Sequence, residues 1–382
     1  MSSTPRRRPA PDALVAGGVV VLLVVLVAAV FLSGFGRSLY PPDPATTNAH
    51  EVSSLYDIVF ALAVAIFIAV EGLIVWSILR YRRKAGDDEL PAQTHGNNLV
   101  EVIWTIIPTV IVLYLFAISY QTLNVVNAVS DSPDIRVHAV AGQFQWKFEY
   151  LDGGGNVVAT QQVPYYSTKS ADCETPSLTN PGCGGMALPV GAKVQVTLDS
   201  PDVIHAWYVP RFLFKRDVVP GQTNKFEFTI DTADADQVFR GQCAELCGTG
   251  HRTMLFSVIG LTFDEYNAWL ASLVELSHRT PPPAPSGAAT LDLTAKTFAF
   301  DKSSLEVTAD QPFVIDFKNQ DPAGTAHDVD IRQSDGTTVV VDQQTTDGGK
   351  ESQYQYQGLP AGTYTFICSI HPAIMHGTLT VK

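Results

Sequence analysis

Soft metal-binding side chains are crowded into one short segment of the chain, GQCAELCGTGHRTM at residues 241–254. Cys243, Cys247, His251 and Met254 follow one another at intervals of four, four and three residues. Thiolate, imidazole and thioether groups are donors that select Cu(I), zinc or an iron–sulfur cluster. Zinc sites rarely include methionine and iron–sulfur clusters usually take four cysteines, so copper fits this segment best.

A further ligand is expected from an adjacent strand, and PDVIHAWYVP supplies His205 in a strand-like, aromatic setting. The alternative is that His205 is a core histidine and that Cys243 and Cys247 form a structural disulfide. A disulfide would leave the nearby histidine and methionine as donors with no metal to bind, so the sequence favours a metal site. Glycines at positions 248 and 250 suit a tight loop that turns both sulfurs toward one point.

A second set of donors occurs near the C-terminus, where CSIHPAIMHG contains Cys368, His371 and Met375. His327 lies about 40 residues earlier, in AGTAHDVDIR. Two histidines, one thiolate and a long methionine contact are the ligands of a blue copper electron-transfer site. The alternative is a β-fold that has lost its metal, with Cys368 as a small buried apolar residue. His376 competes with the other donors and is expected to be an outer or exposed residue.

Both sets lie in regions whose sequence pattern predicts β-sandwiches. Residues 125–276 and 291–382 contain short alternating segments separated by turn residues, with one helix, TFDEYNAWLASLVEL, at the end of the first region. Residues 277–290 are rich in proline, glycine and serine and are predicted to form a semi-extended linker. Each region carries a histidine on a middle strand and a Cys/His/Met cluster before its last strand, which indicates a duplicated copper-binding fold.

The first 125 residues are dominated by apolar runs, each long enough at about 1.5 Å per residue to cross a hydrocarbon core of roughly 30 Å. The runs are Ala13–Leu32, Ile58–Leu79 and Val102–Tyr120. The first run, within residues 1–36, follows three arginines and is either a signal peptide or a retained transmembrane anchor. The other two predict a transmembrane helical hairpin over residues 50–124.

A basic cluster between the second and third runs sets the predicted topology. Its members are Arg80, Arg82, Arg83 and Lys84. The positive-inside rule makes this connection cytoplasmic, so everything after Asn124 is expected on the outer face, in an oxidising compartment. Cys173 and Cys183 lie there in a loop without histidine and are predicted to form a disulfide.

Two carboxylates lie in or beside the apolar runs, Glu71 inside the second and Glu101 at the inner edge of the third. A carboxylate in a membrane is costly, so each is expected to face a partner protein, a polar cavity or a proton path. The alternative for Glu101 is an ordinary interfacial residue at a helix N-terminus, where its charge suits the helix dipole.

The loop GQCAELCGTGHRTM together with DVIHAWYVP resembles the binuclear copper A site of the cytochrome c oxidase subunit II family. The family motif C-x-E-x-C-x-x-x-H-x-x-M is matched, with an upstream histidine, by Cys243, Glu245, Cys247, His251, Met254 and His205. The resemblance covers roughly residues 50–276. It implies two coppers bridged by both thiolates, with one histidine on each ion, Met254 as a weak axial ligand and the Glu245 carbonyl on the other ion.

The resemblance to this family also implies roles for three further side chains. The Glu245 side chain would point toward a magnesium shared with the catalytic subunit. EVIWTIIP is similar to the start of the family's second helix, which implies that Glu101 lies at the mouth of a proton path. The family's Q-W-x-W-x-x-E-Y stretch is represented by GQFQWKFEY, which keeps Trp146 but has Phe144 in place of the first tryptophan, where electrons usually enter from cytochrome c. Standard docking of a soluble cytochrome is therefore in question.

The C-terminal region resembles the plastocyanin and amicyanin family of cupredoxins, which implies one type 1 copper held by four donors. The donors are His327, Cys368, His371 and Met375. Tethering by the 277–290 linker would give this domain a high effective concentration at the copper A face. It could then replace a soluble electron donor or receive electrons from one.

These features predict an electron-relay subunit of a heme–copper terminal oxidase, which passes electrons through blue copper and copper A to heme in a catalytic subunit. The complex would reduce oxygen to water and pump protons across the cell membrane, with the copper domains outside. Other oxidase subunits, lipid and a donor such as cytochrome c or a copper protein are the expected partners. The net charge of −13 argues against nucleic acid. The alternatives are a copper A subunit of a nitric-oxide reductase and a membrane-anchored copper-delivery protein.

Overall fold

The computed structural model describes residues 11–32, 40–81, 96–163, 184–277 and 285–382, apart from positions 337, 342, 344 and 373. The chain divides into two compact units, Met1–Pro44 with His50–Val126, and Ala45–Ala49 with Asn127–Lys382. The predicted disulfide between Cys173 and Cys183 lies outside the described residues. So do the N-terminal arginines and all of the basic cluster except Arg80.

The first unit is helical. Its helices are α1 (Pro11–Leu32), α2 (Thr47–Tyr81) and α3 (Asn98–Asn127). In the described part of the chain, α2 and α3 are long and apolar enough to cross a membrane, and neither has its apolar stretch buried by protein. A helix that is apolar on every side is stable when lipid surrounds it. The predicted hairpin is therefore present as two helices that begin and end a few residues beyond its expected limits.

After Ala45–Ala49, the described residues of the second unit up to Ser277 form a β-sandwich of ten strands followed by one helix. Its elements are β1 (Ile135–Gly142), β2 (Gln145–Leu151), β3 (Val157–Val163), β4 (Gly185–Pro189), β5 (Lys193–Asp199), β6 (His205–Val209), β7 (Phe214–Val218), β8 (Asn224–Thr229), β9 (Val238–Cys243), β10 (Leu255–Leu261) and α4 (Phe263–Ser277). One sheet has the order β3-β2-β1-β5-β8 and the other β4-β10-β9-β6-β7. We call this sandwich the first β-domain.

Aromatic side chains fill the space between these two sheets. Trp207 lies 4.9 Å from Phe226 and 5.7 Å from Phe256, measured between ring centroids, and Phe256 lies 5.1 Å from Trp146. Trp207 and Trp146 are fully buried. Large rings of this kind supply much of the apolar burial that holds a sandwich together. The strands that carry the first donor cluster are thereby fixed on a rigid core.

A second sandwich completes the unit. Its strands are β11 (Ala289–Lys296), β12 (Ala299–Phe300), β13 (Ser304–Val307), β14 (Phe313–Asn319), β15 (Asp330–Gln333), β16 (Val339–Val341), β17 (Glu351–Tyr356), β18 (Gly362–Ile367) and β19 (His376–Val381). Its sheets have the orders β12-β11-β14-β17 and β13-β19-β18-β15-β16. We call this sandwich the second β-domain, and its core includes Phe317, Ile331 and Phe366.

Two details differ from the sequence expectation. The second β-domain starts at Ala289, two residues inside the predicted linker. His327, expected on a middle strand, instead precedes β15 and forms an isolated bridge with Thr346. The side chain of Asn319 donates to the carbonyls of Thr325 and Thr346, so side-chain hydrogen bonds replace a regular ladder there.

Candidate metal centres

The first cluster brings together the donors that the sequence spacing predicted. Cys243 Sγ and Cys247 Sγ lie 3.9 Å apart. Nδ1 of His205 is 3.8 Å from Cys243 Sγ, and Nδ1 of His251 is 3.5 Å from Cys247 Sγ. Met254 Sδ lies 3.9 Å from Cys247 Sγ. Two thiol sulfurs thus lie between two imidazoles, which is an arrangement that lets both sulfurs bridge a pair of soft metal ions.

The distance between the two sulfurs excludes the disulfide alternative in this structure. A disulfide bond is about 2.05 Å long, whereas Cys243 and Cys247 are free and buried thiols. His205 is fully buried, as a core histidine would be, but its ring faces the Cys243 thiol. A buried imidazole aimed at a buried thiol fits a metal site better than apolar packing.

Three strands hold these donors in place. His205 is the first residue of β6, and Cys243 is the last residue of β9, where it pairs with Trp207 of β6. The main-chain N–H of Cys243 donates to the carbonyl of Met254 at 3.0 Å, which closes the loop between β9 and β10. Gly248 in this loop has φ of 129°, a conformation that favours glycine. The loop is therefore tied at both ends to one sheet.

Asp202 fixes the orientation of His205. Its Oδ1 lies 2.9 Å from Nε2 of His205, so Nε2 carries the proton and Nδ1 is available to a metal. Burial lowers the pKa of His205, but the hydrogen bond with Asp202 and other contacts outweigh burial and raise it overall. A carboxylate behind a metal-binding histidine holds the ring and increases its basicity.

The two thiols of this cluster influence each other strongly. The hydrogen bond with Cys247 lowers the pKa of Cys243 to about 3, against the opposing effect of burial. The same hydrogen bond, with burial, raises the pKa of Cys247. One proton is therefore held between two sulfurs at neutral pH, and a thiolate is ready for a metal ion.

The second cluster is equally compact. Nδ1 of His327 and Nδ1 of His371 lie 3.1 Å apart, and each is 3.7 Å from Cys368 Sγ. All three side chains are buried. The Met375 side chain is fully buried, and its main chain is bound to the same loop, with Cys368 N–H donating to its carbonyl at 2.9 Å. His376 begins β19 and is exposed.

Each histidine of the second cluster is fixed from behind by an acceptor. His327 Nε2 lies 2.8 Å from Asp321 Oδ2, and His371 Nε2 lies 2.5 Å from the main-chain oxygen of Gln143 in the first β-domain. Each Nδ1 is thereby directed at Cys368. Burial lowers the pKa of His371 to about 4 and also lowers that of His327, so both rings are neutral at pH 7. Neutral imidazoles are the form that binds metal.

Glu245 lies between the two cysteines of the first cluster. Its main-chain oxygen is 3.3 Å from Cys243 Sγ, within the ring of donors. Its side chain is exposed. The carbonyl therefore faces the cluster while the carboxylate points out, which fits the two separate roles that the family resemblance implies.

Trp146 and Phe144 lie against the same loop. Trp146 is fully buried, and its Nε1 donates to the main-chain oxygen of Met254 at 3.3 Å. Phe144 is half-buried, and a Cβ added to Gly250 would lie 2.4 Å from its ring. Both aromatic rings thus contact the segment that carries the donors. Their use as the place where electrons enter stays a prediction.

Glu101 caps the start of α3. Asn97 Oδ1 accepts the main-chain N–H groups of Leu99 and Val100 at 3.1 and 3.2 Å, and Glu101 Oε1 accepts the N–H of Asn97 at 3.2 Å. Reciprocal bonds of this kind satisfy N–H groups that have no partner inside the helix. The N-terminal position that we considered for Glu101 is confirmed, and its role in a proton path stays a prediction. Glu71 lies within α2 and is half-buried.

Sequence reasoning missed the polar residues that join the two β-domains. On β2, the alternating residues Gln145, Lys147 and Glu149 face away from the aromatic core, and Lys147 is 7% exposed. Its Nζ lies 2.9 Å from Asp347 of the second β-domain. The signal was present in QFQWKFEY, where polar and aromatic residues alternate, but such a face is usually solvated. Nothing in the sequence indicates that another domain covers it.

Three family profiles match the chain. Residues 36–122 match the cytochrome c oxidase subunit II transmembrane domain, and residues 135–260 match the periplasmic domain of the same subunit. Residues 267–381 match a cupredoxin-like domain. These ranges correspond to the helical unit and to the two β-domains.

Curated relatives carry the same family name. A probable cytochrome c oxidase subunit 2 from Streptomyces coelicolor is 33% identical over 299 residues, which is 73% of this chain and 91% of that protein. A cytochrome c oxidase subunit 2 from Schizosaccharomyces pombe is 31% identical, with 61% of this chain and 92% of that protein covered. Among solved structures, the periplasmic domain of subunit II of cytochrome oxidase from Bradyrhizobium japonicum is 27% identical over 39% of this chain and 99% of that domain, with a TM-score of 0.32.

Proposed function

The chain belongs to the cytochrome c oxidase subunit II family, and on that premise we propose that it carries electrons through two copper centres to a heme-bearing catalytic subunit. The observation that carries the proposal is the pair of closed donor clusters, each with its imidazole Nδ1 atoms aimed at thiol sulfur. Such sites exchange electrons without binding substrate. The relatives do not favour a nitric-oxide reductase or a copper-delivery protein.

We propose that the first cluster holds a binuclear copper A centre. The donors would be the thiolates of Cys243 and Cys247, the imidazoles of His205 and His251, the Met254 thioether and the Glu245 carbonyl. The pair of thiols supports this assignment, because the low pKa of Cys243 supplies one thiolate before any metal binds. The exposed carboxylate of Glu245 would reach a magnesium ion at the interface with the catalytic subunit.

We propose that the second cluster holds one type 1 copper, for which the donors would be the side chains of His327, Cys368, His371 and Met375. Burial raises the pKa of Cys368 well above its ordinary value, so loading with copper must displace a proton from this thiol. Copper bound there would supply a one-electron redox couple. The burial of the donors and the hydrogen bonds behind His327 and His371 would hold these side chains in place around it.

The helices and the sequence topology support a location in the cell membrane. We propose that α2 and α3 cross the cell membrane and that both β-domains lie on its outer face. A one-electron donor on that side, either cytochrome c or a copper protein, would reduce the chain. Phe144 stands where the family's sequence has a tryptophan, and its ring lies against Gly248 and Gly250 in the loop between β9 and β10. We therefore propose that the second β-domain takes the place of a donor docked at that position.

The assignment can be tested on the full-length chain purified in detergent. Copper per chain is measured together with the visible and EPR spectra, and about three coppers with separable binuclear and blue signals are expected. The variant Cys368→Ser should lose only the blue signal, and Cys247→Ser should lose only the binuclear signal. A wild-type chain that holds a single exchangeable copper would contradict the whole proposal, whereas two coppers with only the binuclear signal would contradict the second site.

A further inference from the structure

One residue, Gln143, contacts both donor clusters. Its main-chain oxygen lies 2.5 Å from Nε2 of His371, whose other ring nitrogen faces Cys368. Its side-chain amide donates a short hydrogen bond to the main-chain oxygen of Cys247. Gln143 thus links a histidine of the second cluster to a cysteine of the first cluster through hydrogen bonds and its own covalent bonds.

A second branch starts from the same residue. The main-chain N–H of Gln143 donates to Asp202 Oδ2 at 2.6 Å, and Asp202 Oδ1 binds Nε2 of His205. His205 in turn faces the Cys243 thiol. Both halves of the first cluster are therefore connected to His371 through one glutamine.

Other residues near the Gln143–His371 hydrogen bond also bring the two β-domains into close contact. The side-chain amide of Gln145 donates to the carbonyl of Gly324 at 3.4 Å, and Lys147 pairs with Asp347. Gly324 has φ of 95°, and a Cβ added there would lie 2.9 Å from Val140 Cγ1 of the first β-domain. Backbone of the second β-domain therefore approaches the first more closely than a larger side chain would allow.

The burial of polar side chains on the facing surfaces is consistent with close contact between the two β-domains. Gln145 and Lys147 are buried although they lie on the outward face of β2, and His371 is buried at the edge of its own sandwich. Lysine is rarely buried unless it is paired, and here two carboxylates of the two β-domains share it, since Glu149 lies 3.0 Å from its Nζ. The two domains therefore meet through buried polar contacts of Gln145 and Lys147, near the histidine of one cluster and the cysteine loop of the other. Nε2 of Gln145 is bonded there, whereas its Oε1 is buried without a partner among the described residues.

We propose that the docked second β-domain delivers electrons to copper A through Gln143, by way of His371 on one side and Cys247 on the other; this rests on the function proposed above. In each event Cu(I) at the type 1 site is oxidised to Cu(II), and the mixed-valence copper A pair gains that one electron. A one-electron donor outside the membrane then reduces the type 1 site again. The linker keeps the domain attached, and the contact around Gln143, rather than free diffusion on a tether, sets the geometry of transfer.

The test uses the full-length chain in detergent and two readouts. The first is acylation of lysines followed by mass spectrometry, in the copper-free chain as well as the loaded one. Lys147 should be protected and the exposed Lys225 should react. The second is the first-order rate of electron exchange between the two visible signals after flash photoreduction. That rate should not depend on protein concentration.

Variants separate docking from transfer. Gln143→Ala removes the bond to the Cys247 carbonyl but keeps the main-chain oxygen, so Lys147 should stay protected and the copper spectra unchanged while the rate falls. Asp347→Lys places two cations together and should reduce the docked population roughly a hundredfold, exposing Lys147 and abolishing the fast phase. Gln222→Ala, at an exposed turn, is the matched control and should change neither readout.

Each outcome bears on the proposal. Equal acylation of Lys147 and Lys225 in the wild-type chain would overturn the docked interface. An unchanged rate in Gln143→Ala, or a fast phase that survives in Asp347→Lys with Lys147 exposed, would overturn the route. A wild-type chain that lacks one of the copper signals would contradict the proposed function instead, so the two failures are distinguishable.

Discussion

Lys147 of the first β-domain and Asp347 of the second form an ion pair with 2.9 Å between Nζ and Oδ2. The lysine also lies 3.0 Å from Glu149, and only 7% of its side chain is exposed. These contacts raise the pKa of Lys147 against the opposing effect of burial, which is the largest single influence on it. The amine is therefore charged at neutral pH, and its loss would leave two carboxylates without their cation.

We expect Lys147→Met to lower the free energy of unfolding by about 2–3 kcal/mol. This is less than the roughly 3–5 kcal/mol lost when a fully buried pair is broken, because 24% of the Asp347 side chain is exposed and a cavity of about 310 Å³ borders the pair. Thermal or urea unfolding of the detergent-solubilised chain gives the value. Adding Asp347→Asn should recover part of the loss, and Lys225→Met, at an exposed position, is the control. Additive losses in the double variant would show that the two side chains do not interact.

Glu149 should make the stability of the chain depend on pH in the acid range. Burial would raise its pKa, but hydrogen bonds and charge from His138 and Lys147 lower it to about 2. A carboxyl whose pKa is lower in the folded state stabilises the fold fully above its ordinary pKa of 4.5 and loses that contribution as pH falls toward 2. The difference corresponds to at most about 3 kcal/mol.

The pH dependence of Glu149 is checked by comparison with Glu149→Gln. At each pH, the unfolding free energy of the variant is subtracted from that of the wild type. This subtraction cancels the contributions of the other acidic groups, including Asp202 and Asp321. We expect this difference in unfolding free energy to shrink steadily as the pH falls below about 4.5, the ordinary pKa of the carboxyl. A difference that does not change with pH would show that Glu149 titrates at its ordinary pKa.

The local part of the two donor clusters could be predicted from the sequence because most of their side chains are close together along the chain. Cys243, Cys247 and His251 occupy one loop, and a loop of fixed spacing leaves few alternatives for its donors. Cys368 and His371 are close in the same way. Alternating apolar residues likewise predicted both sandwiches, because an apolar residue at every second position indicates a strand with one face buried.

The parts that sequence reasoning did not supply depend on contacts between distant segments. Lys147 and Asp347 are 200 positions apart, and the periodicity of β2 says only that Lys147 faces outward. The acceptors behind the histidines were missed for a related reason. Asp202 and Asp321 stand three and six residues before their partners, in irregular segments where the direction of a side chain has no sequence signature.

Because Gly250 has no side chain, the Phe144 ring can lie directly against its backbone. A Cβ at this position would lie 2.4 Å from two ring atoms of Phe144, whereas the backbone φ of −90° is one that alanine adopts easily. Gly250→Ala should therefore cost about 1–3 kcal/mol through overpacking alone. Thermal unfolding measures the loss, and the EPR signal of copper A should broaden as the loop shifts. Phe144→Ala in the same chain should remove most of the effect, and Gly153→Ala, with open space at its Cβ, is the control.

Asp321 holds the His327 ring so that its Nδ1 faces Cys368, as the proposed type 1 site requires. Its Oδ2 accepts from His327 Nε2 at 2.8 Å and from the N–H of Phe298 at 3.1 Å. Asp321→Asn is nearly isosteric, but it removes the charge and can present an N–H where the ring needs an acceptor. The affinity of the second site for copper should then fall by about 10- to 100-fold, while copper A is unaffected.

Copper competition with a chelator, followed by the blue and binuclear signals in one sample, measures both affinities together. Asp202→Asn is the reciprocal variant, because Asp202 supports His205 at the first site in the same way. It should weaken copper A and leave the blue site in place. If both signals weaken equally in either variant, the carboxylates act through general stability of the β-domains and not through the histidines that they contact.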